Sequence, residues 1–202
     1  IASYLLTNYR NMKKSIFTLT LILALVVSGY AQEVISSSGA STPNRGGFSN
    51  EIHVNFMTLI WFGSLEAGYE RYLSDDHSIE FKGFINDRFG FNNENNGKKY
   101  KTNSLQASMN FYFGDNGSGR FFLFPLAKIR FGDFEEPNDG GGIQTTDMTA
   151  FVLGAGAGYK WELSKNFAFG PFASIGRNFS DDVANRFSVI ELNGGFNLGY
   201  RF

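Results

Sequence analysis

The sequence predicts an all-β fold: a single transmembrane antiparallel up-and-down barrel of about eight strands, its lumen filled by polar side chains. Three observations predict it. From Glu51 onward, apolar and polar residues alternate with period two again and again, as in strands with one greasy and one wet face. Short and long connections between those segments alternate too, as they must when one rim of a barrel carries tight turns and the other carries loops. Finally, the chain is rich in Phe (23) and Gly (24) and 17% aromatic, yet its mean hydropathy is only −0.18. Alternation hides a membrane signal from any average, so the two facts are compatible.

Taken in order, the predicted strands are 51–59, 64–73, 78–91, 104–113, 120–132, 147–163, 166–178 and 190–202. The clearest is 104–113, where Leu105, Ala107, Met109, Phe111 and Phe113 share one face and Ser104, Gln106, Ser108, Asn110 and Tyr112 the other. The last repeats it, with Ile190, Leu192, Phe196, Leu198, Tyr200 and Phe202 opposite Glu191, Asn193, Asn197 and Arg201. In 78–91 the apolar set is Ile79, Phe81, Ile85, Phe89 and Phe91, against Glu80, Lys82, Asn86 and Arg88. In 147–163 it is Phe151, Leu153, Ala155, Ala157, Tyr159, Trp161 and Leu163. Tight turns are expected at 74–77, 114–119 and 164–166, and longer polar loops at 92–99, 133–146 and 180–185. The first connection, 60–63, is short and apolar, which fits a hairpin tip embedded in the outer leaflet.

Ahead of the strands, Met12-Lys13-Lys14, an apolar run over 16–27 and small residues around Ala31 read as a secretory signal peptide spanning 12–31. The run is too short for the ~20 residues of a membrane-spanning helix. Residues 1–11 are expected to be an upstream artefact, and 32–50, rich in Ser, Gly, Asn and Thr, a flexible periplasmic leader. With 18 basic and 19 acidic residues and no basic stripe, no nucleic acid is expected as a partner. The absence of cysteine removes disulfides, thiolate metal sites and cysteine nucleophiles.

Alternation alone also fits a soluble barrel, so the position of the charges decides. The polar faces carry Glu66, Glu70, Glu80, Lys82, Arg88, Lys128, Arg130, Lys160, Glu191 and Arg201, of both signs and on many strands. Together they are expected to form an ion network inside the lumen. Tyr69, Phe91, Tyr159, Trp161 and Tyr200 stand near the ends of the apolar faces, as interfacial girdles do.

The final strand, with Phe196, Tyr200 and Phe202, resembles the signal by which outer-membrane proteins are recognised by the barrel-assembly machinery. The stretch 62–75, with Phe62-Gly63, Gly68-Tyr69-Glu70 and Leu73-Ser74-Asp75, is similar to a hairpin of small outer-membrane barrels of Bacteroidota. Over 51–202 the chain thus resembles the OmpA-like eight-stranded barrels of Gram-negative bacteria, which implies the outer membrane, its lipid and lipopolysaccharide as surroundings. The resemblance covers the barrel alone, so a peptidoglycan-binding role is not carried over.

No catalytic, cofactor or metal site is expected. Gly154, Gly156 and Gly158 are not followed by a helix pattern and read as clearance beside inward Phe122, Phe124 and Phe172, not as a phosphate loop. Some small barrels modify lipid A, but His53 and His77 both fall toward the periplasmic side in this reading, away from outer-leaflet chemistry. Glu135, Glu136 and Asp139 match no defined calcium loop. Lys98, Lys99 and Lys101, near the outer rim, are candidates for contact with lipopolysaccharide phosphates. The expected role is structural or surface-interacting with a plugged lumen, possible partners including an unknown envelope or surface protein. The alternatives are a narrow channel or binding barrel for small hydrophobic molecules, and a lipid A-modifying enzyme.

Overall fold

The computed structural model describes residues 49–88, 97–114, 119–138 and 140–202. The expected signal peptide and leader, together with Phe89, Phe91 and Asp139, lie outside the described residues. In chain order the elements are β1 (Asn50–Asn55), α1 (Phe56–Phe62), β2 (Leu65–Tyr72), β3 (His77–Ile85), β4 (Lys99–Phe113), β5 (Gly119–Pro137), β6 (Ile143–Asp147), β7 (Ala150–Glu162), β8 (Phe167–Asn178), α2 (Asp181–Arg186) and β9 (Ile190–Arg201). All pairings are antiparallel, and β1 pairs with both β2 and β9, so eight strands close into a barrel with β6 left outside the ring. Closure satisfies strand edges that would otherwise expose unpaired N–H and C=O groups, an intolerable cost in hydrocarbon.

The pleat fixes which residues face in. Along β4 every even-numbered residue from Tyr100 to Tyr112 is buried, and the odd-numbered ones are exposed or half-buried. The outer wall is apolar: Phe81, Leu105, Ile129, Ile175 and Leu192 are all more than half exposed. Inside, Tyr72, Tyr112, Phe122, Phe124, Leu126 and Phe172 form an apolar cluster flanked by charge. The β2–β3 and β7–β8 turns lie at one rim, the short-turn rim; α1, the β5–β6 hairpin and α2 lie at the other, the long-loop rim.

Four elements depart from the expected layout. The strand expected over 51–59 stops at Asn55, whose side chain accepts the Met57 N–H and caps α1; Gly63, at φ +63°, ends that helix with its N–H on the Leu59 carbonyl. A seven-residue helix is below the length at which periodicity can be read. The loop expected over 133–146 is mostly a β-hairpin, because β5 runs on to Pro137 and pairs with β6. Gly132, at φ +115°, allows the departure: a Cβ there would lie 2.0 Å from the Lys101 carbonyl oxygen. The loop over 180–185 holds α2, whose Val183 packs with Tyr100, Phe134, Met148 and Ala150 in a second small core above the rim. Fourth, β3 ends at Ile85, where Asn86 takes φ +57° and turns the chain; Asp87, not Asn86, then points inward, and Arg88 is half-buried.

Candidate functional site

The interior is a stack of ion-paired tiers. Nearest the short-turn rim, the Lys160 Nζ lies 3.0 Å from Glu51 Oε1 and 3.1 Å from the Tyr72 hydroxyl, and also pairs with Glu70. Arg201 Nε donates to Glu51 at 2.9 Å, and its Nη1 lies 3.2 Å from Glu162. Glu70 accepts further hydrogen bonds from Ser78, Asn110 and Tyr112. In the middle tier, Lys82 Nζ is 3.4 Å from Glu66 and 3.6 Å from Glu80, while His53 Nε2 is 2.9 Å from Glu80 Oε1. Toward the long-loop rim, Lys128 bridges Asp87 and Glu191 at 2.7 Å each, and Arg130 Nη2 reaches the same two carboxylates at 3.0 and 2.6 Å.

Burying ions costs several kcal/mol apiece unless geometry and additional hydrogen bonds recover it, and here each carboxylate meets a cation or donor. Aromatic faces finish the packing, with Lys82 Nζ 4.2 Å from the Phe172 ring centre and Lys128 Nζ 4.4 Å from that of Phe84. Glu51, His53 and Glu70 offer a cluster with metal-ligand spacing, but Lys160 already lies between the two carboxylates and supplies the positive charge.

Glycine makes room for this network. An added Cβ on Gly68 would come within 2.3 Å of His53 Nε2, on Gly199 within 2.4 Å of Glu51 Oε1, and on Gly195 within 2.2 Å of Asn55 Oδ1. Each inward side chain of β1 therefore rests in a space left by a glycine on β2 or β9. On β7, Gly156 and Gly158 do the same for the Phe124 and Phe122 rings, at 2.2 and 2.4 Å.

Of the ten charged residues singled out in the sequence, nine are buried in these tiers, and Arg88 is half-buried near the long-loop rim. Glu51, His53, Asp87 and Arg120 belong to the interior as well but were not among them. Glu51 and His53 were legible, since they alternate with outward Ile52 and Val54. Asp87 was not, because the turn at Asn86 breaks the period. Phe196 is half-buried on the outer wall, whereas Tyr200 and Phe202 are exposed near the short-turn rim.

At the long-loop rim, Lys98 lies 3.8 Å from Glu136 and Lys101 2.5 Å from Glu135, while Lys99 is exposed. Arg186 on α2 forks onto both carboxylate oxygens of Glu136. That hydrogen bonding holds the Glu136 carboxyl below the usual carboxylate range and raises Arg186. His77 sits in the β2–β3 turn, its Nδ1 3.1 Å from Ser74 Oγ; Ser74 Oγ also accepts the Asp76 N–H, the pattern of a stapled turn.

No family model and no curated protein matches the chain. Among solved structures, the N-terminal β-barrel domain of Pseudomonas aeruginosa OprF is similar with a TM-score of 0.50 at 15% identity, over 76% of this chain and 97% of that domain. Neisserial surface protein A aligns with a TM-score of 0.48 at 14% identity, covering 81% of this chain and 98% of that one. Ail, the attachment invasion locus protein of Yersinia pestis, aligns at 0.44 and 15% identity, over 76% and 97% of the two chains. The likeness to the OprF barrel supports the fold: an eight-stranded closed antiparallel barrel of the outer-membrane type.

Proposed function

We propose that the chain is an integral protein of a Gram-negative outer membrane, with a structural and surface-interaction role rather than a catalytic one. The observation that carries this is the inversion of the barrel: Arg130, Arg201, Glu51, Glu66 and Glu70 are all at most 2% exposed in the interior, while Leu105, Ile60 and Phe81 stand more than half exposed on the outside. A water-soluble barrel has the opposite arrangement, whereas hydrocarbon accepts such a wall and rejects the charges. On this reading the long-loop rim faces the medium and the termini of the barrel face the periplasm. The signal peptide delivers the chain, and the last strand with Phe196, Tyr200 and Phe202 serves the barrel-assembly machinery.

The salt-bridged tiers and aromatic rings plug the lumen in this reading, since eight strands enclose just enough space for side chains to fill. The surface platform built from the β5–β6 hairpin and α2 is then the working part, with Lys98, Lys99 and Lys101 beside lipopolysaccharide phosphates and the hairpin tip presented to an envelope or surface partner. A lipid A-modifying enzyme is disfavoured, because His53 is committed to Glu80 deep in the interior and His77 to a turn at the opposite rim.

Two measurements test the reading. In the membrane fraction, the folded protein should migrate differently on a denaturing gel before and after boiling. Reconstituted in planar bilayers, it should pass almost no current; steady conductance would sink the plugged lumen, and recovery of the protein in a detergent-free extract would sink the membrane assignment.

A further inference from the structure

Strand β6 prolongs β7 past the end of its neighbour. Both pair with β5 in one register, Asp147 opposite Asp133 and Ala150 opposite Arg130, so the edge of β6 turned away from β5 continues the edge of β7 that β8 covers. β8 stops short of it. Its pairing with β7 ends at Asn178 opposite Val152, the Phe179 N–H makes one more bond to the Phe151 carbonyl, and the chain then turns into α2. Ile143–Asp147, about 17 Å of strand, thus has a neighbouring strand on one side only among the described residues. The ladder tells which groups are free. The Met148 N–H donates to the Gly132 carbonyl and the Asn138 N–H to the Gly142 carbonyl, so the alternate pairs between them, Phe134 with Thr146 and Glu136 with Gln144, are the hydrogen-bonded ones. Ile143, Thr145 and Asp147 therefore turn their N–H and C=O groups away from β5.

The charges beside this edge are of one sign and unmatched. Asp133 and Asp147, both exposed, stand directly opposite each other, a like-charge pair that weakens the hairpin. α2 lies against β6, with Asp181 and Asp182 exposed in its first turn. None of these four carboxylates has a cation within 4 Å among the described residues. Lys101, across from Asp133, is taken by Glu135, and Arg186 is taken by Glu136. At the far end of the edge Ile143 is 71% exposed. A bare strand edge of this kind is a template for another strand.

Resting on the reading of the long-loop rim as facing the medium, we propose that the free edge of β6 docks an extended, basic segment of a partner polypeptide, added as one more strand. Its backbone meets the outward groups of Ile143, Thr145 and Asp147. A lysine or arginine beside Asp147 completes the row of Lys101, Asp133 and Asp147 and offsets the repulsion between the two aspartates. An apolar side chain covers Ile143. A second copy of this chain fits less well. Two barrels related by a two-fold axis along the membrane normal present these strands running the same way, which sets the carboxylates of one copy beside those of the other.

The test uses the full chain in phosphatidylcholine vesicles and, as probe, a fluorescein-labelled peptide alternating lysine with valine. Its anisotropy should rise to a plateau at about one peptide per outward-facing barrel. Exchanging its lysines for glutamates, or N-methylating every second residue to remove the donors on its pairing edge, should weaken the affinity about tenfold or more, the worth of one or two hydrogen bonds. In the protein, T145P removes an outward N–H but no bond to β5, and D147N removes the facing charge; each should weaken binding by a similar factor. Binding that climbs in proportion to peptide, that the glutamate peptide matches, or that folded T145P leaves unchanged would overturn the proposal, as would a native-mass dimer that the peptide leaves intact. Should T145P unzip the hairpin, seen as fast amide exchange at Thr146, the N-methylated peptide on the unaltered barrel decides. A barrel with the heat-dependent gel shift but no saturable peptide binding removes the site and leaves the membrane reading intact; loss of the shift itself would remove both.

Discussion

Replacing Lys160 by methionine removes the cation that Glu70 has within 4 Å among the described residues, while Glu51 keeps Arg201 at 2.9 Å. Glu70, 0% exposed, retains hydrogen bonds from Ser78, Asn110 and Tyr112 but, among the described residues, no ion pair within 4 Å. Stranding one partner of a buried pair costs about 3–5 kcal/mol. At a urea m-value of about 2 kcal/mol/M, a loss of about 4 kcal/mol moves the unfolding midpoint down by about 2 M. Changing both partners, K160M with E70Q, removes the orphaned charge and should recover at least about 2 kcal/mol of that loss as a coupling energy. Equilibrium unfolding in lipid vesicles, followed by tryptophan fluorescence, reads all four corners of the cycle. An exposed pair would be worth only about 0.2–1 kcal/mol. A midpoint shift of K160M below about 0.5 M, with additive single variants, would refute a buried, ion-paired interior.

The remaining expectations use the same vesicle system. Gly156→Ala places a methyl 2.2 Å from Phe124 Cζ and 2.6 Å from the Ala173 carbonyl oxygen, and should cost about 1–3 kcal/mol; Gly83→Ala, with nothing within 4 Å, should leave the midpoint unchanged or slightly higher. Phe81→Arg, on the outer wall at mid-strand, should lower stability by about 2–4 kcal/mol, and normal stability would argue that this face meets water. Glu136 has its folded pKa depressed by Arg186, so its contribution is complete above the ordinary glutamate range and fades as pH falls through the lowered value. Amide exchange in β6 should therefore accelerate in acid before the barrel strands respond, and E136Q should abolish that acid step; identical profiles in both proteins would contradict it.

What the sequence discloses follows from how periodic each part is. Strands β4 and β9 obey strict alternation, so their faces, and with them the inward positions of Gln106 and Glu191, could be read directly. The layout failed wherever a local device interrupts the pleat. Asn55 turns β1 into a helix by a single side-chain cap, and Asn86 shifts the pleat by one residue through one positive φ; both devices occupy one residue and leave no periodic trace. The β5–β6 hairpin was hidden for another reason. Its residues Glu135, Glu136, Gln144, Thr145 and Thr146 are polar on both faces because β6 lies outside the closed ring, so nothing distinguishes the strand from a loop. The glycines of β2 and β9 were visible as composition, but which large side chain each one serves depends on cross-strand register, which only the closed barrel supplies. The mismatch in length between β1 and its neighbours belongs to that class too.

Two adjacent residues of β4 ask the central question most directly. Leu105, 62% exposed, and Gln106, 6% exposed, should face lipid and lumen respectively. The chain contains no cysteine, so L105C and Q106C can each carry one nitroxide label in vesicles. The label at 105 should be broadened strongly by oxygen, which concentrates in hydrocarbon, and hardly at all by a water-soluble nickel chelate; the label at 106 should be shielded from oxygen in comparison. Strong nickel broadening at 105, or immobilisation there in a dry protein core, would mean that the apolar face does not meet the membrane.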